Sequence, residues 1–158
     1  SEHTSVDFAR HDLMEGASCI VVKTGRTDDK ALRKVASFWK SLGGSVSVMH
    51  PESHDRRVSM ISHLPHAVAF ALAGSVDPKD LKFAAEGFKD TTRVASSDPD
   101  LWADIFLTNA RETKRAGDVF LKSFKELINS VQSGDRRKLV RILKQAKFKR
   151  DAKYAKAV

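Results

Sequence analysis

Two short blocks concentrate the residues able to do chemistry, Ser62-His63-Leu64-Pro65-His66 and Gly87-Phe88-Lys89-Asp90-Thr91-Thr92-Arg93. On a helix Ser62 and His66 share one face, with His63 on the flank. Pro65 inside that helix removes a backbone donor and presses on the carbonyl of Ile61, which predicts a kink that aims polar side chains into a cleft. The second block ends in Arg93, whose planar guanidinium grips a carboxylate or phosphate through paired hydrogen bonds. The two blocks outline an anion site, with Trp102 a candidate nearby that reads equally as a core position.

The elements that position these blocks follow from periodicity. Residues 18–24 read as a strand, Thr27 as the cap of a helix with Asp28 and Asp29 in its first turn, and Ser45–Met49 as a second strand after the Gly43-Gly44 stop. This is one β-α-β unit, whose strand-to-helix turn at Gly25-Arg26 is too poor in glycine to cradle a phosphate. A boundary falls near His50-Pro51, and the rest reads as helical. Residues 52–75 form one helix or a kinked pair interrupted at Pro65, with His54-Asp55 as its start. Asp77-Pro78 opens a short helix through Glu86 with Leu81 and Ala84-Ala85 inward and Gly87 as its stop. Asp98-Pro99 caps a helix running to residue 133, about 50 Å long at 1.5 Å per residue, longer than a small domain can cover alone. Its apolar seam from Trp102 to Val131, with Gly117 in mid-helix, predicts packing against a partner. Ser133-Gly134-Asp135 ends it and caps the last helix.

Composition narrows the function classes. Hydrophobic residues at 41% and charged residues at 30% fit a globular chain. The single cysteine, Cys19, excludes an internal disulfide framework and reads as a buried strand residue. His50, His54, His63 and His66 with Asp55 match no common zinc spacing, so no metal site is expected, and His63 reads as a packed histidine with one satisfied hydrogen bond. No apolar run approaches membrane-spanning length and no signal-peptide pattern is present, which predicts a cytoplasmic protein without a membrane partner. The net charge of +8 is concentrated in the last helix, where few aromatics interleave the basic residues. That pattern reads as a solvated face rather than a nucleic-acid surface.

The chain resembles the prephenate and arogenate dehydrogenases of tyrosine biosynthesis. The resemblance runs through Asp12-Leu13, Glu15-Gly16, His54-Asp55, Ser62 to His66, Phe83-Ala84-Ala85, Gly87-Phe88, Asp90 to Arg93, Ser97-Asp98-Pro99, Trp102, Asp104-Ile105 and Asn109, with Ala146-Lys147 and Arg150-Asp151 like the closing helix. Lys89 stands where that family mostly has Arg, and Met14 where it mostly has Phe.

The resemblance implies a mainly α fold, a helical dimerisation domain preceded by a single β-α-β remnant of a Rossmann-type nucleotide domain. Residues 1–50 would be the trailing part of the dinucleotide-binding domain and residues 51–158 the helical substrate-binding and dimerisation domain. The activity it implies is oxidative decarboxylation of prephenate to 4-hydroxyphenylpyruvate with NAD or NADP. Arogenate dehydrogenase and a non-catalytic dimerisation or regulatory module are the alternatives. Residue by residue, Arg93 would bind a substrate carboxylate, Ser62 and His66 would line the pocket, Asp90 would orient Arg93, and Thr91 and Thr92 would fix the backbone. Ser1-Glu2 looks like the family's Ser/Thr-Glu pair, which would place the catalytic histidine about five residues upstream of Ser1. No Gly-x-Gly-x-x-Gly occurs, so the cofactor would be bound mainly by a missing N-terminal domain and this chain alone would be inactive. A homodimer, and tyrosine as an inhibitor in the substrate pocket, complete the implied partners.

Overall fold

The computed structural model describes residues 12–154, so the Ser1-Glu2 pair lies outside the described residues. Strands β1 (Ser18–Val22) and β2 (Ser45–Met49) pair in parallel with Ser18 opposite Ser45 and Val22 opposite Met49, joined by helix α1 (Asp29–Ser41). The β-α-β unit is therefore present, with β1 ending at residue 22 rather than 24 and Cys19 half-buried rather than buried. The cap of α1 is Asp28, whose carboxylate accepts from Ala31 N at 2.7 Å. Thr27 instead accepts from Thr24 N at 2.9 Å, so its hydroxyl is spent on closing the preceding turn. Gly43 takes φ +84° where α1 stops, and at Gly44 a side chain would meet the Trp39 carbonyl at 2.9 Å, which is why two glycines stand there.

Helix α2 (Pro51–Val58), a π-helical turn at Ser59–His63 and helix α3 (Leu64–Ser75) run on without a break. At Pro65, where the sequence predicts a kink, the helix instead carries a π turn just upstream: Pro65 sits in the first turn of α3, and Leu64 N donates to the Ser59 carbonyl. His54-Asp55 is not a helix start, since Pro51 and Glu52 occupy the first turn of α2. Joined in this way, Pro51–Ser75 is long and apolar enough to cross a membrane by length and composition, which a helix split at Pro65 would not be. Of this stretch Ser59, His63 and Ala69 are buried where it packs on α6, and the remainder is half-buried or exposed.

The segment after α3 departs from expectation. Pro78–Phe83 is a 3-10 turn, Ala84 and Ala85 are extended, and α4 spans Glu86–Thr92, so Gly87 lies inside a helix. Leu81, Ala84 and Ala85 are exposed rather than inward because the segment forms the rim of a cleft. A second 3-10 turn, Arg93–Ser96, packs on α3 and leads to α5 (Pro99–Thr108), capped by Asp98 through Leu101 N at 2.9 Å.

The single helix expected from 99 to 133 is two. Asn109, at φ −115° and ψ 37°, separates α5 from α6 (Ala110–Gln132), and its amide donates to the Asp55 carbonyl of α2 at 2.9 Å. The tether to α2 stabilises a bend that helical periodicity does not show. Gly134, at φ +66°, and Asp135, accepting from Lys138 N at 2.9 Å, turn the chain into α7 (Arg136–Tyr154). Among the described residues the buried apolar side chains are Ala69, Trp102 and Ala116, so α3, α5 and α6 meet at the centre of the helical region.

Candidate functional site

A cleft of about 1030 Å³ opens between α3, the 78–83 rim, α4 and the Arg93–Ser96 turn. Its lining mixes apolar Leu81, Phe88 and Val94 with His66, Lys89, Thr92 and Arg93. The two sequence blocks therefore meet here, although they lie on separate helices.

His66 stands in the first turn of α3. Its Nδ1 lies 2.9 Å from the Ser62 carbonyl, which can only accept, so Nδ1 carries the proton and Nε2 is the nitrogen left for a ligand. The ring stacks on the indole of Trp102 at 3.5 Å between centroids and 18° between planes. Trp102, one turn into α5, is buried, so one wall of the imidazole is fixed by the core.

Arg93 follows α4 at the head of a 3-10 turn and is exposed at the cleft. The two threonines before it bond back to their own helix: Thr91 Oγ1 donates to Gly87 O and Thr92 Oγ1 to Phe88 O, each at 2.7 Å. These bonds hold the last turn of α4, the platform from which Arg93 projects. Ser62 takes part through its backbone carbonyl, and its side chain does not line the cleft. Asp90 is exposed and also outside the lining.

Lys89 does line the cleft, one turn before Arg93 on α4, with Nζ 3.4 Å from Glu86 Oε1. In the sequence it stands out only as a departure from a motif, yet its spacing of four from Arg93 puts both cations on one helix face. An apolar-walled cleft with two cations and an imidazole suits an anion that carries a ring.

Behind the cleft His63 is buried, with Nδ1 at 3.3 Å from Thr113 Oγ1 and its ring edge-on to Trp102 and Phe106. Burial lowers its pKa below the ordinary 6.5; Asp55 opposes that, and His54 and His66 add to it. This is the packed histidine that the sequence suggests. Among the described residues no three His, Cys, Asp or Glu side chains converge as metal ligands.

The turn from β1 into α1 offers no dinucleotide cradle. Its only glycine is Gly25, Thr24 and Thr27 bond to each other, and the Asp28 carboxylate occupies the N-terminus where a pyrophosphate would sit.

Residues 50–145 match the family described as prephenate dehydrogenase, dimerization domain. The chain is 32% identical over 142 residues to cyclohexadienyl dehydrogenase of Zymomonas mobilis, covering 85% of the chain and 48% of that relative. It is 34% identical over 157 residues to prephenate dehydrogenase of Bacillus subtilis, covering 96% and 42%. Among solved structures it resembles prephenate dehydrogenase from Aquifex aeolicus in complex with hydroxyphenyl propionate and NAD+, with TM-score 0.84, 40% identity and coverage of 95% of this chain and 55% of that one. Synechocystis arogenate dehydrogenase gives TM-score 0.79 at 28% identity, covering 93% and 56%. The chain spans about half the length of the curated relatives it matches.

Proposed function

Since the chain belongs to the prephenate dehydrogenase family, through that family's dimerisation domain, we propose that it is the C-terminal part of an enzyme that oxidatively decarboxylates prephenate to 4-hydroxyphenylpyruvate. The observation that carries this reading is the convergence of Arg93 and His66 on one apolar-walled cleft, with His66 backed by Trp102. Arg93 would hold a carboxylate by paired, charge-assisted hydrogen bonds, and His66 would offer Nε2 to the same ligand. Trp102 would keep the imidazole plane fixed, Thr92 would hold the end of α4, Ser62 would set the His66 tautomer, and Asp90 would orient the guanidinium. NAD or NADP would bind upstream residues, because the β1–α1 turn of this chain does not fit a pyrophosphate. We place the domain boundary at residues 50 and 51.

The proposed assembly is a homodimer. On α6 the residues Gly117, Leu121, Phe124, Ile128 and Val131 repeat at spacings of four and three, and the four side chains are 43–60% exposed. A side chain built at Gly117 would meet nothing within 4 Å, leaving room for another backbone. A second copy on this strip would cover what is otherwise open apolar surface. Tyrosine, whose phenol and carboxylate resemble the product, would compete for the cleft. A soluble, cytoplasmic enzyme fits this role.

Arogenate is the second reading, supported by the likeness to Synechocystis arogenate dehydrogenase. The intact protein is assayed for nicotinamide reduction with prephenate and with arogenate. Turnover of prephenate supports the first reading, turnover of arogenate alone supports the second, and turnover of neither, with hydroxyphenyl propionate failing to bind, would overturn both.

A further inference from the structure

Two irregularities from distant parts of the chain meet on one side chain. The π turn at Ser59–His63 carries the imidazole of His63 inward, and the helix break at Asn109 exposes an amide toward it. Asn109 Nδ2 donates one hydrogen to the Asp55 carbonyl at 2.9 Å and lies 3.5 Å from His63 Nδ1, while Thr113 Oγ1 lies 3.3 Å from the same nitrogen. An amide nitrogen only donates, so Nδ1 is the acceptor, Thr113 donates, and His63 carries its proton on Nε2. The ring so fixed stands edge-on to Trp102, with centroids 6.3 Å apart at 83°, and Trp102 in turn is the plate on which His66 stacks.

We propose that His63 is a positioning residue: held by Thr113 and Asn109, it sets the plane of Trp102 and thereby the face that His66 presents to the cleft. It touches no ligand itself, since it is buried and outside the cleft lining. The geometry explains why a buried polar ring stands where an apolar one would pack. A phenyl ring would keep the edge contact with Trp102 but leave the Thr113 hydroxyl and the Asn109 amide without an acceptor. This deepens the function proposed above, because it concerns the same cleft, but the stack exists without ligand and can be tested without it.

Trp102 and Trp39 are the only tryptophans of the chain, so Trp39→Phe leaves Trp102 as the sole indole. An imidazolium stacked on an indole quenches its fluorescence, so emission should fall as acid protonates His66, and His66→Phe should abolish that fall. In the Trp39→Phe chain, His63→Ala should remove most of the quench while helical circular dichroism is retained, and His63→Asn, which places an amide oxygen near the position of Nδ1, should restore part of it. A histidine that served packing alone would lower the melting temperature in both variants and leave the quench amplitude unchanged, which would overturn the proposal. Should His63→Ala not fold, Thr113→Val carries the test, and an undiminished quench there would overturn it equally. Binding of hydroxyphenyl propionate is measured in parallel. Failure of the intact protein to bind it would count against the proposed enzyme, whereas the fluorescence alone decides the role of His63.

Discussion

The turn from β1 into α1 and the end of α4 both present a helix terminus to open space, and they differ in what their side chains do with it. At α1, Asp28 accepts from Ala31 N and Asp29 follows it, so the positive end of the helix is neutralised from within. At the end of α4, Lys89 and Arg93 line a cleft with His66, and the threonine hydroxyls bond to their own helix instead of competing for a ligand. Helix geometry favours the first place for an anion, and side-chain charge assigns it to the second. The two ends therefore differ in which side chains face the open space, a carboxylate at α1 and two cations at α4.

Arg93→Ala tests this contrast most severely. Loss of a charge-assisted pair worth roughly 1.5–3 kcal/mol should lower kcat/KM of the intact enzyme by about ten- to a hundred-fold, mostly through substrate affinity. Arg93→Lys should recover only part, because an ammonium cannot form the paired fork. Steady-state kinetics with cofactor affinity measured alongside checks this; an unchanged KM in Arg93→Ala would remove the anion site from the cleft.

Asp28→Ala probes the other terminus. It should cost about 1 kcal/mol of stability through loss of the cap, read as a lower midpoint in urea, and leave the affinity for hydroxyphenyl propionate untouched. A gain in anion affinity at the cleft on this substitution would mean that the two termini are not independent.

His63 gives a pH signature behind the cleft. Its native pKa is lowered by burial, so the unfolded chain binds the proton more tightly and stability falls as pH falls, beginning near the ordinary 6.5 and levelling off beneath the lower native value. Thermal melts from pH 8 to pH 5 should show a slope that His63→Asn reduces; an equal slope in the variant would assign the loss to other groups.

The smallest effect is expected from Lys89→Ala. Its ammonium is exposed and already faces Glu86 at 3.4 Å, so its removal should cost no more than about 1 kcal/mol, under about ten-fold in substrate affinity. A loss exceeding that of Arg93→Ala would reverse the roles of the two cations.

Where hydrogen bonds are local, residue order is enough to dictate the structure. The caps at Asp98 and Asp135, the stops at Gly43 and Gly134, and the parallel β-α-β unit all depend on partners within a few residues, or on a hydrophobic pattern of fixed period. The blocks ending in His66 and Arg93 are legible for the same reason, since residue type and spacing carry their chemistry. Even local pattern misleads where two neighbours compete, as when Asp28 rather than Thr27 takes the cap of α1. The remaining features come from packing between distant segments. The π turn at Ser59–His63 and the break at Asn109 each trade helical hydrogen bonds for packing that no local pattern encodes, whereas the 3-10 rim at Pro78–Phe83 stays exposed. The stack of His66 on Trp102 and the bond of His63 to Thr113 join residues far apart in the chain. Such contacts exist only once α3, α5 and α6 have packed, because the free energy of placing an aromatic ring depends on the volume that distant helices leave for it.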